Sequence, residues 1–161
     1  EGLLSYAKAD KEEVLKETVS LNALLQEVLE NLPAHSNITI QVNDLPELYS
    51  EKLLLFQVFS NLIGNAIKFH DKKEGIVKIY FKEHTDVYEF FVEDNGVGIA
   101  PQHQKRIFVI FQTLKDKDQP EESTGIGLAI VKKIIDSKNQ QIKLFSEPGK
   151  GSVFSFTWPK K

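Results

Sequence analysis

LFQVFSNLIGNAIKF spans residues 55–69, and two spacings run through it. Val58, Leu62, Ile63, Ala66 and Ile67 recur at helical intervals and predict an amphipathic helix over roughly Glu51 to Phe69, preceded by Pro46 and Ser50. Asn61, Asn65 and Lys68 stand at i, i+4 and i+7, so they share one face of that helix. Such amides donate to phosphate oxygens or lend a carbonyl oxygen to a hard cation such as magnesium. A lysine one turn on is a point charge for phosphate. Taken alone, the stripe reads better as the solvated side of an amphipathic helix.

Downstream, Val77, Ile79 and Phe81, then Tyr88, Phe90 and Val92, alternate with polar residues and predict two strands around a turn at His84 to Asp86. Asp94-Asn95-Gly96-Val97-Gly98-Ile99 follows the second strand directly. A carboxylate at a strand end can accept a hydrogen bond from an exocyclic amine, and glycines let backbone approach a flat ligand. The same residues are also strong turn chemistry, and the segment by itself is balanced between the two readings. Ser123-Thr124-Gly125-Ile126-Gly127-Leu128 opens a helix whose Leu128, Val131, Ile134 and Ile135 share one side. Free N–H groups at a helix start form an anion site, although an isolated Gly-x-Gly is weak evidence. Gly149-Lys150-Gly151-Ser152 precedes a last strand over Val153 to Trp158 and alone reads as a hairpin turn.

Upstream, Ser20 is placed to cap a helix carrying Leu21, Leu24, Leu25, Val28, Leu29 and Leu32 on one face, with Pro33 as its stop. Ile38, Ile40 and Val42 predict a strand. Glu1 to about Val19 reads as a helix end followed by a polar linker. A short helix is expected near Gln102 to Phe111, followed by a polar stretch, Lys115 to Ser123, of the kind that forms lids. Strands and helices interleave, with hairpin-like neighbours in the second half. The fold class is therefore α/β: a two-layer sandwich of a mixed β-sheet with helices on one face.

The 161 residues suit one domain, and 41% apolar residues supply a core. A net charge of -3 gives no support to nucleic acid or an anionic membrane as partner. There is no cysteine, which excludes disulfides and thiolate metal sites and fits a reducing cytoplasm. No apolar run is long enough to span a bilayer, so no membrane contact by this fragment is expected. The chain begins at Glu1 rather than methionine and is expected to be an excised piece.

The four motifs together, in this order, resemble the histidine-kinase members of the gyrase and histidine-kinase ATP-binding superfamily. Residues 55–69 resemble its N box, DNGVGI its first glycine box, Ile107-Phe108-Val109-Ile110-Phe111 its F box, STGIGLAIVKKI its second glycine box and GKGSVFSF the closing one. The likeness covers about Ser20 to Pro159, and Leu3-Leu4-Ser5-Tyr6-Ala7 is similar to the end of the second dimerisation helix that precedes such domains. The resemblance implies residues 1–19 as dimerisation-helix end and linker, and residues 20–161 as a catalytic ATP-binding domain with the Bergerat-type fold. It implies ATP and Mg2+ as cofactors. Asp94 would bind the adenine amine, with Gly96, Gly98 and Ile99 at the ring. Asn65 would ligate magnesium with Asn61 beside it, and Lys68 would approach the phosphates. Thr124, Gly125, Ile126, Gly127 and Leu128 would wrap the triphosphate; Phe108 and Phe111 would anchor one end of a lid, and Lys115 or Lys117 would supply charge from it. The implied partners are a dimerisation and phosphoacceptor domain of the parent kinase and, through it, a response regulator.

Two departures stand out. Ser123 occupies the usual first glycine of the second glycine box, and Ile110 and Thr113 stand where F-box arginines help neutralise phosphate. The F box, IFVIFQTL, looks like the phytochrome-type version. In the ATPase branches of the superfamily a glutamate general base occupies the place of Asn61; an amide cannot take a proton at neutral pH, which favours a kinase that keeps ATP intact. A superfamily ATPase and a catalytically silent nucleotide-binding module are the alternatives. Of His35, His70, His84 and His103, only His70 precedes an acidic residue as family phosphoacceptors do, and its place just after the N box reads as surface.

Overall fold

The computed structural model describes residues 15–33, 37–108 and 126–161. Along the chain these form β1 (Glu17–Ser20), α1 (Leu21–Glu30), β2 (Ile38–Val42), β3 (Glu47–Ser50), α2 (Lys52–Lys68), β4 (Gly75–Glu83), β5 (Val87–Asp94), α3 (Pro101–Gln104), α4 (Ile126–Ser137), β6 (Ile142–Glu147) and β7 (Gly151–Pro159). One five-stranded sheet runs in the order β2-β4-β5-β7-β6, and β1 pairs with β3 in a separate ribbon. Within the larger sheet β2 is parallel to β4, whereas β4–β5, β5–β7 and β7–β6 are antiparallel. The expected mixed sheet is thus present.

Strand alternation decides which face is covered. Val77, Ile79, Phe90, Val92, Phe154, Phe156 and Trp158 are buried in one cluster with Leu24 of α1, Leu55, Val58, Phe59 and Ile63 of α2, and Val131 and Ile135 of α4. Phe59 presents ring edges to Phe90 and Phe156, with centroids 5.7 and 5.4 Å away. The intervening residues face the other way: Lys78 and Lys82 are exposed, and Tyr80 stacks on Phe91 at 4.8 Å. Burial and then the Glu93 carboxylate, to which Tyr80 donates at 2.8 Å, push the phenol up to about 12.

α1 starts as its sequence dictates. Ser20 Oγ accepts from the Ala23 amide, and Leu21, Leu24, Leu25 and Val28 are buried. It stops at Glu30, ahead of Pro33, because the Asn31 amide turns back to the Val28 and Leu29 carbonyls. Two further expectations need correction. The supposed linker before Ser20 becomes strand from Glu17, with Val19 opposite Leu48. The expected helix near Gln102 to Phe111 is a single turn, Pro101–Gln104, followed by turns through Phe108. Its remaining residues, and the polar stretch Lys115 to Ser123, lie outside the described residues.

A polar cluster fixes how α2 and α4 meet. Trp158 Nε1 donates to Ser50 Oγ at 2.8 Å, and Ser50 Oγ donates to Glu51 Oε1 at 3.0 Å. Lys138 Nζ holds both Glu51 oxygens at 2.8 and 3.0 Å and lies 5.3 Å from the Trp158 ring centroid. Burial alone would raise the Glu51 carboxyl, but the bonds from Lys138 and Ser50 outweigh it and hold it below the ordinary glutamate value. Glu51 precedes α2 and Lys138 follows α4, so the pair joins the start of one helix to the end of the other. The last turns of α2 and the first turn of α4 are thereby brought together at the opposite end. There a Cβ on Gly127 would stand 2.7 Å from Asn61 Oδ1, so any side chain there would make the Asn61 amide move.

Candidate functional site

At that end lies a cavity of about 350 Å³. The last turn of α2 contributes Asn65 and Ala66 to it, and Phe69 just after the helix lines it too; the end of β5 and the loop after it contribute Asp94, Val97, Gly98 and Ile99. Ala100, His103 and Ile107 form a second wall, Leu128 of α4 a third, and Pro148, Ser152 and Phe154 of the β6–β7 hairpin close the floor. The walls are mostly apolar, with few converging polar groups, as in small-molecule sites generally.

Asp94 is the charged group among them. Its position at the end of β5, paired with Ser152 on β7 and Val77 on β4, anchors the carboxylate in the sheet. The Gly96 amide donates to Asp94 Oδ1 at 2.8 Å, and the Ser152 amide also bonds the carboxylate. Burial pushes the Asp94 carboxyl above its ordinary range, against the pull of those amides and of His70. A half-buried acceptor already holding two backbone amides suits a ligand that brings its own N–H.

The loop 95–99 is held against the hairpin turn at close quarters. Gly98 has φ +74, and a side chain there would run into the Glu147 carbonyl. The Gly149 amide donates to the Val97 carbonyl at 2.7 Å, and Lys72 Nζ donates to the Gly149 carbonyl at 2.7 Å.

Of the residues singled out in the sequence, Asn65, Asp94, Gly98, Ile99 and Leu128 line this one cavity. Gly96 stands behind it, its amide on Asp94; a Cβ added there would stand 2.9 Å from the Phe69 carbonyl. Asn61 is not in the lining: its Nδ2 donates to the Gln57 carbonyl at 2.7 Å, one helical turn back. Lys68 is likewise outside the lining, with Nζ 5.4 Å from the Phe69 ring centroid. Ile126 and Gly127 open α4. Phe111, Lys115, Thr124 and Gly125 lie outside the described residues. Phe108 packs edge-on against Phe154, with centroids 6.1 Å apart.

Sequence reasoning missed the His103, Pro148 and Ser152 walls. Ser152 belonged to a quoted motif, GKGS, and its pairing with Asp94 was the missing clue. His70, read as surface, is half-buried: its ring lies against Gly75, Nδ1 accepts from the Lys72 amide at 3.2 Å, and Nε2 finds no hydrogen-bond partner among the described residues. Among those residues no group of three or more His, Cys, Asp or Glu could hold a metal ion, and no helix is long and apolar enough to cross a membrane.

Residues 50–161 match the family described as histidine kinase-, DNA gyrase B-, and HSP90-like ATPase. Phytochrome-like protein Cph1 of Synechocystis sp. is 41% identical over 98% of this chain, and cyanobacterial phytochrome A of Nostoc sp. is 38% identical over 98%. The chain spans only 21% of the length of each of these relatives. Among solved structures, full-length ShkA in complex with AMPPNP superposes with a TM-score of 0.80 at 28% identity, over 98% of this chain and 34% of that one. The nucleotide-free catalytic domain of histidine kinase ThkA gives a TM-score of 0.71 at 26% identity, over 90% of this chain and 95% of that one.

Proposed function

The chain belongs to the histidine kinase-, DNA gyrase B- and HSP90-like ATPase family, and on that premise we propose that it binds Mg-ATP and donates the γ-phosphate to a histidine on a separate dimerisation domain. The supporting observation is the half-buried Asp94 carboxylate in an apolar cavity that Asn65 and Leu128 also line. Adenine fits that arrangement: its amine donates to Asp94 while its ring lies against Gly98 and Ile99. The triphosphate then extends toward Asn65 and the start of α4, since N–H groups at a helix start favour anions.

Magnesium fits the donor set. It commonly keeps several waters and takes few protein ligands beside substrate phosphates, and the described residues offer amide oxygens at Asn65 and Asn61 rather than a carboxylate cage. Bound there, it would neutralise phosphate charge. Asn65→Ala is expected to weaken nucleotide binding in the presence of magnesium by about tenfold, as for one lost bond to a charged group, with little change in its absence. Equal Mg-ATP affinity of variant and wild type by calorimetry would remove Asn65 from the metal site.

Asn61 supports transfer over hydrolysis. Its amide is no base, so water near the γ-phosphate is not activated by it. In the transfer step an acceptor imidazole nitrogen forms a bond to the γ-phosphorus as the bond from phosphorus to the β–γ bridging oxygen breaks, and ADP leaves with that oxygen. The protein's share is positioning and charge neutralisation. Response-regulator signalling follows through the acceptor domain, and dependence on ATP places such a domain in the cytoplasm. The test is a phosphotransfer assay. The chain alone is expected to bind ATP without acquiring acid-labile phosphate; addition of dimerisation helices bearing the acceptor should yield it. Stable labelling of His70 in the isolated chain, or steady ATP turnover without an acceptor, would overturn the kinase reading.

A further inference from the structure

We propose that Ser146 is a positioning residue for base recognition, setting the spacing between the Gly98–Ile99 wall and the Asp94 acceptor. This rests on the reading of Asp94 as the partner of the adenine amine. The wall and the acceptor sit at opposite ends of a short glycine loop. Within that loop the tie reaching Asp94 is the Gly96 amide, which holds the near end. The far end is held from outside. The Ile99 amide donates to Ser146 Oγ at 2.7 Å, and Ser146 Oγ donates to the Gly151 carbonyl at 2.9 Å. Ser152 Oγ lies 2.8 Å from the same hydroxyl, and the Ser152 amide bonds Asp94. One hydroxyl therefore joins the ring wall to the strand that carries the acceptor's own partner.

The hydrogen-bond capacity of a serine is used fully in this arrangement: two bonds accepted, from Ile99 N–H and Ser152 O–H, and one donated to Gly151. Gln104 reinforces the tie from the other side, its Nε2 donating to the Ile99 carbonyl at 2.8 Å and the Ser146 carbonyl at 3.2 Å. Ser146 itself is not part of the cavity lining. It acts through Ile99 and Ser152, which are. Removing the hydroxyl leaves the Ile99 amide and the Gly151 carbonyl without it, and the wall is then free to drift from Asp94.

The expected signature is loss of discrimination rather than loss of binding as such. Wild type, Ser146→Ala and Ser146→Thr are titrated calorimetrically with ATP and with purine ribonucleoside triphosphate, which lacks the amine. Wild type should prefer ATP. Ser146→Ala should lose about tenfold in ATP affinity, on the scale of one lost hydrogen bond, with little change for the amine-free ligand; Ser146→Thr should restore the preference. Equal losses on both ligands would mean general loosening and overturn the proposal, as would preserved discrimination in Ser146→Ala. Equal binding of the two ligands by wild type would sink the Asp94 assignment and the proposal with it. Should Ser146→Ala fail to fold, amide exchange on wild type decides: Ile99 is expected to be protected without nucleotide, and an unprotected Ile99 amide overturns the tie.

Discussion

Asp94→Asn is expected to weaken ATP binding tenfold to a hundredfold, about 1.5–3 kcal/mol for a lost bond to a charged group. The reason is geometric. The carboxylate already accepts the Gly96 amide on Oδ1 and the Ser152 amide. An asparagine that keeps its oxygen on those amides turns its NH2 toward the cavity, donor against the donor amine of adenine. The flipped rotamer puts NH2 against backbone N–H instead. Either orientation sets a donor against a donor in a half-buried site. GTP meets the converse difficulty in the wild type, a base carbonyl facing a carboxylate, and should compete poorly. Binding should also depend on pH through this group. Burial holds the Asp94 carboxyl above its ordinary value, and an adenine amine favours its ionised form. ATP affinity is therefore full above that raised value and falls as pH drops through it, because the free protein then holds a proton that binding must release. Asp94→Asn should lack this dependence on Asp94. Calorimetric titrations across the acidic range, on both proteins, check both points; equal affinities at neutral pH would sink the assignment.

The parts of this site that were legible in the sequence are those carried by one short segment each. Asn65 could be placed because helical periodicity fixes its face, and Asp94 and Gly98 because a strand end followed by glycines has a defined geometry. Asn61 shares that face one helical turn back, about 6 Å further from the cavity end of α2; its Nδ2 is on the Gln57 carbonyl, which leaves its Oδ1 as the atom open to a cation. Ser146, Pro148 and Ser152 were not legible as site residues because what makes them so is the pairing of β6, β7 and β5, contacts distant in sequence. β1 escaped notice for a different reason: Glu-Thr-Val-Ser buries only Val19, so a four-residue ribbon strand leaves almost no hydrophobic pattern to read. The large sheet was legible because its strands alternate over a longer run and one face packs against the helices.

Gly98→Ala is expected to have a severe effect on this site, and Gly149→Ala separates its two causes. Both glycines have positive φ, +74 and +83, where an L side chain costs about 1–2 kcal/mol. Their surroundings differ. A Cβ at Gly149 meets nothing within 4 Å, whereas one at Gly98 would drive into the Glu147 carbonyl and stand 3.0 Å from Pro148 Cα. Those atoms are backbone and cannot rotate away, so either the loop or the hairpin must move. Movement of the loop shifts the ring wall at Gly98 and Ile99; movement of the hairpin shifts Pro148 and Ser152 in the cavity floor. Gly149→Ala should therefore lose about 1 kcal/mol of stability, near the strain of the conformation alone, and bind ATP nearly as wild type. Gly98→Ala should lose about 2–4 kcal/mol, strain and overpacking together, and bind ATP too weakly to saturate. Urea denaturation measures the first quantity and calorimetry the second. Since the conformational cost is common to both variants, their difference isolates the close approach of the two backbones. If Gly98→Ala binds ATP as well as Gly149→Ala does, the packing of loop on hairpin is not what shapes the base site.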